Sequence, residues 1–294
     1  KKGRKSVGVK RQYSGTLGRV DNCQIGVFAN YYSRKGHTFI DRKIYLPEEW
    51  CQDKQRREEA GVPKNVVFRS KPELGLEMIR TAVQEQLPFQ WVGGDSVYGD
   101  SPTFVQGVRE LKKWYVLDVS SEAYVWLRQP QVGKPGPRGG RAKPKTKPIS
   151  VAEAAAQLPS SAFRRITVSE GSQGPIVYEY TRRQIILSAA GLPQKTVWLL
   201  IRRTLDEKPT YSFFISNASA STRLKTLIWL SGLRWAIEQC FEETKSELGM
   251  DHYEVRKFTG WHHHMLTCML AHFFLWHLKI RMGKKSTVYY ATAA

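Results

Sequence analysis

Acidic residues are scarce in this 294-residue chain, with 26 Asp plus Glu against 46 Lys plus Arg and a formal charge of +20. Such a deficit points to polyanionic partners, with nucleic acid foremost, because neutralising phosphates releases counterions. No apolar run approaches the ~18 residues of a membrane span, and nothing near Lys1 reads as a signal peptide. Cysteine is sparse too: Cys23, Cys51, Cys240 and Cys268 are far apart and lack C-x-x-C spacing. They are expected to be reduced thiols of a cytosolic protein, neither a zinc motif nor a disulfide frame. No internal repeat is evident. Apolar residues, by contrast, make up 41% of the chain with 9 Trp and 12 Phe, enough for a core, and the length suits one large domain or two smaller ones.

Residues 1–19 read as an irregular basic segment. Alternation in 22–32 and again in 38–46, across the turn Arg34-Lys35-Gly36-His37, predicts an antiparallel hairpin. A helix is expected from about Ser70, with Leu76, Ile79, Val83 and Leu87 at helical spacing, and Pro88 stops it. A short strand over 89–94 runs into Asp95, Ser101-Pro102 opens another helix to about Lys112, and 114–119 is a strand. This order implies an α/β sheet. The Gly, Pro, Lys and Arg-rich stretch 129–148 cannot pack a core and reads as a basic loop or linker. Strands are expected at 165–169, 176–187, 196–203 and 211–216, then helices over 222–248 and 260–281.

Two stretches carry candidate chemistry. In the helix expected over 222–248, Leu230, Leu233, Ile237 and Phe241 form an apolar stripe, while Arg234, Glu238, Glu242 and Lys245 fall together on another face. Taken alone, that face reads first as a solvated, salt-bridged one. In Val92-Gly93-Gly94-Asp95-Ser96-Val97-Tyr98-Gly99, an acid follows an apolar strand, the place where open α/β sheets hold ligands. The plain alternative is a turn Asp that caps the next loop.

Together these stretches resemble a known family. Arg234-x3-Glu238-x6-Lys245 looks like the R-E-K part of the Y-R-E-K signature of bacterial insertion-sequence DDE transposases, and Gly94-Asp95-Ser96-Val97-Tyr98-Gly99 is similar to their second-acid motif. The segments 6–15, 247–256 and 260–265 also look like this family. The resemblance implies an α/β, RNase H-like mixed sheet flanked by helices and interrupted by a mainly-β insertion before the last catalytic helix. On that reading 1–128 is the first part of the core without its first strand, 129–217 the basic linker and insertion, and 218–294 the completing helices.

It further implies a transposase that cleaves DNA at element ends and joins 3′-hydroxyls to target DNA. Asp95 and Glu238 would be two of three carboxylates holding two Mg²⁺ ions, with Mn²⁺ able to substitute, since paired hard cations serve in-line phosphoryl transfer. Arg234 and Lys245 would contact DNA phosphates. Partners would be double-stranded DNA and a second protomer on paired ends, in the bacterial cytoplasm near the nucleoid. Two departures stand out: Ser231 occupies the place of the Tyr, and the first acid is expected just upstream of Lys1, with Asp21 and Asp41 as in-chain candidates. A transposase-derived DNA-binding protein without catalysis, and a nuclease without strand transfer, are the rival readings.

Further DNA contacts are expected from Lys134, Arg138, Arg141, Lys143, Lys145 and Lys147 in the basic loop, and from Arg202 and Arg203 beside Trp198. His262-His263-His264 cannot share one ion on a helix, because successive residues point 100° apart. Met265, Leu266, Met269, Leu270, Phe273 and Phe274 are expected in the core.

Overall fold

The structure, a computed structural model, describes residues 3–15, 17–133, 142–171 and 174–283. It opens with β1 (Lys10–Ser14), β2 (Arg19–Cys23), β3 (Gly26–Ser33) and β4 (Gly36–Ile44), followed by α1 (Glu48–Gln52), α2 (Lys54–Ala60) and α3 (Lys71–Gln84). Next come β5 (Trp91–Gly94), α4 (Ser96–Gly99), α5 (Pro102–Glu110) and β6 (Trp114–Val119). After β7 (Tyr124–Trp126), β8 (Ile149–Ser150) and α6 (Val151–Ala156) run the strands β9 (Arg164–Gly171), β10 (Gly174–Ala189), β11 (Leu192–Arg203) and β12 (Tyr211–Ser216). The helices α7 (Leu224–Gly232), α8 (Trp235–Leu248) and α9 (Phe258–Met282) close it. The chain divides into two compact units, residues 1–81 with 235–294, and residues 82–234.

In the first unit β3 and β4 pair antiparallel from Gly26↔Ile44 to Ser33↔Gly36, the hairpin that the alternation predicts, although residues 22–23 of the expected strand belong to β2. The core of this unit joins Phe39 and Ile44 of β4 to Cys240 of α8 and to Trp261, Met265, Cys268 and Met269 of α9, with Phe28, Ile237 and Phe241 packed at its edge. Phe28 meets Phe39 and Phe241 at ring-centroid separations of 5.2 Å each. The basic opening segment is more ordered than expected. Lys10–Ser14 pairs antiparallel with Arg19–Cys23, and the Gln12 amide donates to the Cys23 carbonyl at 3.0 Å. No apolar alternation marks these strands, since Tyr13 and Val20 face outward while Lys10 and Gln12 lie on the less exposed positions.

The α9 core expectation holds only in part. Met265 and Met269 are buried, but Leu266, Leu270, Phe273 and Phe274 are exposed. The inward face is set by Trp261, Met265, Cys268, Met269 and His272 at helical spacing, and the other four fall on the opposite face.

The second unit is built on one eight-stranded sheet in the order β5-β6-β12-β11-β10-β7-β8, with β9 pairing β10. β5 and β6 are parallel, in register from Trp91↔Trp114 to Gly94↔Leu117, and the remaining pairs are antiparallel. The four β-rich strands predicted after the basic loop therefore continue the very sheet that presents Asp95. Val116, Tyr180, Leu200, Phe214, Leu227, Ile228 and Leu230 form the core on one side. The result is a mixed α/β fold with a mostly antiparallel sheet flanked by helices, consistent with an RNase H-like domain.

The single helix expected over 222–248 is two. Gly232 ends α7, Leu233 donates back to the Leu230 carbonyl at 3.1 Å, and Arg234 lies in the turn before α8. The apolar stripe divides at the same point: Leu230 and Leu233 belong to the second unit's core, Ile237 and Phe241 to the first's.

Candidate catalytic acids and nucleic-acid contacts

Asp95 stands directly after β5, in extended backbone, as the N-cap of α4. Its Oδ1 accepts the Val97 N–H at 3.0 Å, which leaves Oδ2 for another partner. The side chains that follow explain the sequence around it. Tyr98 packs on the Phe104 ring at 5.0 Å, and burial together with the Asp95 charge pushes its phenol well above the usual range. A Cβ on Gly99 would fall on the Asp118 carbonyl oxygen, so α4 lies against β6 only with glycine there. Continuing the parallel register one step beyond Gly94↔Leu117 brings Asp95 and Asp118 to the same level of neighbouring strands. Nothing in the sequence marks Asp118, because within Trp114–Val119 it reads as one polar letter in an apolar strand.

Asp118 is engaged: its Oδ2 lies 3.5 Å from Arg234 Nε. Arg234, Glu238, Glu242 and Lys245 do not form one continuous helical face, since Arg234 precedes the helix. Glu238 and Glu242 are exposed on α8, and the half-buried Lys245 sets its ammonium over the Phe241 ring at 5.3 Å. Ser231, in the place of the signature Tyr, spends its hydroxyl on the Ile228 carbonyl at 2.8 Å inside α7.

Of the basic loop, Lys134, Arg138 and Arg141 lie outside the described residues. Lys143, Lys145 and Lys147 are exposed beside a narrow ladder in which Val132 bridges Pro144 and Lys145 Nζ donates to Gln131 Oε1 at 3.1 Å. Arg202 and Arg203 are both partly buried. Arg203 pairs with Glu179 at 2.7 Å and stacks on Phe163, while Arg202 bonds Ser212 and lies over Tyr178. Trp198 donates to the Ala218 carbonyl and lies under the Arg182 guanidinium. Asp21 pairs with Arg19 and caps Asn22, and Asp41 accepts from the Arg42 backbone, so both are engaged locally within the hairpin region.

The three consecutive histidines diverge, as helical geometry requires. His263 is exposed, and His264 Nε2 lies 3.2 Å from the Gly249 carbonyl. His262 is pushed down to about 4 by burial, with Arg42 and Lys43 adding to the effect.

A buried polar group in the first unit has no sequence signal at all, because its members lie far apart in the chain. The Glu243 Oε2 accepts from His272 Nε2 at 2.6 Å, from Trp276 Nε1 at 3.1 Å and from His37 Nε2 at 3.2 Å. Burial opposes charge on Glu243, but these donors outweigh it and hold the carboxyl well below the usual carboxylate range. Beside it lies the buried Cys240 thiol, pushed up to about 12 by burial.

No helix of the described residues is long and apolar enough to cross a membrane. The chain is 33% identical over 127 residues to a probable transposase for insertion sequence element IS701 of Microchaete diplosiphon. That match spans 42% of this chain and 30% of the relative's length. Residues 1–175 match the family described as DDE superfamily endonuclease, a stretch that contains Asp95 and ends before Glu238. With more than half of its length matched, the chain belongs to the DDE superfamily endonuclease family.

Proposed function

We propose that the protein is an insertion-sequence DDE transposase that cleaves DNA at the ends of its element and transfers the 3′-hydroxyls to target DNA. The observation that carries this reading is Asp95: an acid at the end of a strand with a parallel neighbour, fixed by its own helix cap, inside the family match. Asp95 and Glu238 are assigned as metal ligands, and carboxylate oxygens are the donors that hard divalent cations take. Two Mg²⁺ ions, with Mn²⁺ as substitute, would supply activation of the attacking oxygen and stabilisation of the leaving one.

The rest falls to the chain's own groups. The Val97 N–H orients the Asp95 carboxylate, and Gly99 holds that turn against β6. Arg234 and Lys245 neutralise phosphates near the cut, with Asp118 orienting the Arg234 guanidinium beforehand. Lys134, Arg138, Arg141, Lys143, Lys145 and Lys147 supply sequence-independent affinity, with a smaller share from Arg202 and Arg203. Two protomers on paired ends would assemble in the cytoplasm, on nucleoid DNA.

The test is a plasmid assay with the full-length protein and the element with its native flanks, in Mg²⁺. Cleaved ends and joined products are expected, and both vanish in Asp95→Ala and Glu238→Ala. If both variants cleave like the parent, the site assignment fails. Hydrolysis without any joined product, using precut ends, would refute strand transfer.

A further inference from the structure

We propose that His37, Cys240 and His272 form a structural binding site for a borderline-soft transition metal, zinc above all, separate from the carboxylates assigned to catalysis. The three residues come from β4, α8 and α9 and are 5%, 0% and 2% exposed. One ligand atom of each lies within 4.8 Å of the others, the only such convergence among the described residues. Zinc takes nitrogen at ~2.0–2.1 Å and thiolate at ~2.3 Å, which sets tetrahedral donors somewhat closer than this, so a small inward movement closes the site.

The hydrogen-bond geometry supports a metal. Both rings turn Nε2 toward the same Glu243 oxygen, at 3.2 Å for His37 and 2.6 Å for His272, and a ring that donates there keeps its lone pair on Nδ1. His272 Nδ1 is buried and has no hydrogen-bond partner among the described residues, an uncommon state for an interior nitrogen. Carboxylate, histidine and metal in line is the arrangement by which proteins fix a ligating imidazole. On binding, Cys240 would lose its thiol proton to solvent and become the thiolate ligand, with water completing the shell. Nitrogen and thiolate donors select zinc or cobalt over Mg²⁺. The metal would tie the hairpin to both helices and fix α8 two residues beyond Glu238.

The test uses full-length protein without a polyhistidine tag, stripped with chelator and titrated with Zn²⁺ or Co²⁺ in excess Mg²⁺. One retained equivalent of zinc is expected, together with tetrahedral cobalt absorption and a thiolate-to-cobalt charge-transfer band that Cys240→Ser removes. Glu243→Gln keeps the band and weakens binding by about 10–100-fold. Asp95→Ala and Glu238→Ala leave zinc binding unchanged, so this result is independent of the transposase reading. Parent protein that holds no zinc and gives no cobalt band overturns the proposal and leaves a plain hydrogen-bonded cluster. Should Cys240→Ser fail to fold, the parent spectrum and Glu243→Gln decide.

Discussion

Adding one methyl group at Gly99 is expected to damage the Asp95 turn out of proportion to its size. The new Cβ would fall on the Asp118 carbonyl oxygen, 2.9 Å from the carbonyl carbon and 3.1 Å from Val119 Cγ1. The obstacle is the backbone of β6, which is hydrogen-bonded to β5 on one edge and β12 on the other, so it has little freedom to retreat. The short α4 must lift instead, and Asp95 caps that helix. Overpacking of this kind costs about 1–3 kcal/mol, and a backbone obstacle places Gly99→Ala toward the upper end. Gly232→Ala is the control: nothing lies within 4 Å of its Cβ, and gaining helix propensity stabilises by up to ~1 kcal/mol. Urea unfolding followed by tryptophan fluorescence measures both. DNA cleavage at a temperature where each variant is folded should fall for Gly99→Ala alone. A Gly99→Ala protein as stable as the parent would show that α4 is not seated on β6, and the placement of Asp95 would go with it.

His262 stays neutral in the fold while the unfolded chain titrates near pH 6.5. Its contribution is thus complete above that pH and lost as pH falls toward about 4, by at most ~3 kcal/mol. Denaturation between pH 7 and 4 should show this limb in the parent, and His262→Gln should flatten it; an unchanged slope refutes the burial argument. Ser150 and Glu153 make reciprocal caps at the start of α6, so Ser150→Ala should cost about 1 kcal/mol in the same unfolding assay. Replacing Lys143, Lys145 and Lys147 by Gln should make the slope of log K against log salt shallower, by about 0.9 for every phosphate that is no longer neutralised. Equal slopes in a DNA-binding titration would leave that loop merely solvated.

Elements with strong local signals were legible in the sequence. Pro88 and the Ser101-Pro102 cap mark helix boundaries that α3 and α5 respect, and the strands expected at 165–169, 176–187, 196–203 and 211–216 become β9 to β12, the first three of them longer than expected. What escaped was decided elsewhere in the chain. Whether β12 pairs with β6 is a matter of long-range register, so nothing local in the β-rich stretch tells that it continues the Asp95 sheet. The outer face of α9 looked like core because Phe273 and Phe274 are apolar, although their angle on the helix, not their type, sets their exposure.

The transposase signature illustrates the same division more sharply. Four-residue spacing suggests Arg234 and Glu238 on one uninterrupted helix, yet the chain turns at Leu233 and Arg234, so Arg234 closes one unit and Glu238 lies in the other, which resumes at Trp235. The spacing of the motif therefore does not reflect a shared helical face. Arg234 takes its orientation from Asp118, at the end of the strand beside Asp95, whereas Glu238 takes its own from α8, which Cys240 and Thr244 anchor in the first unit's interior. An acid and a cation only four residues apart are thus positioned by different cores. Asp118→Asn should then weaken DNA binding through Arg234 while leaving the urea unfolding of the α8 core unchanged, whereas an enlarged Cys240 side chain should do the reverse.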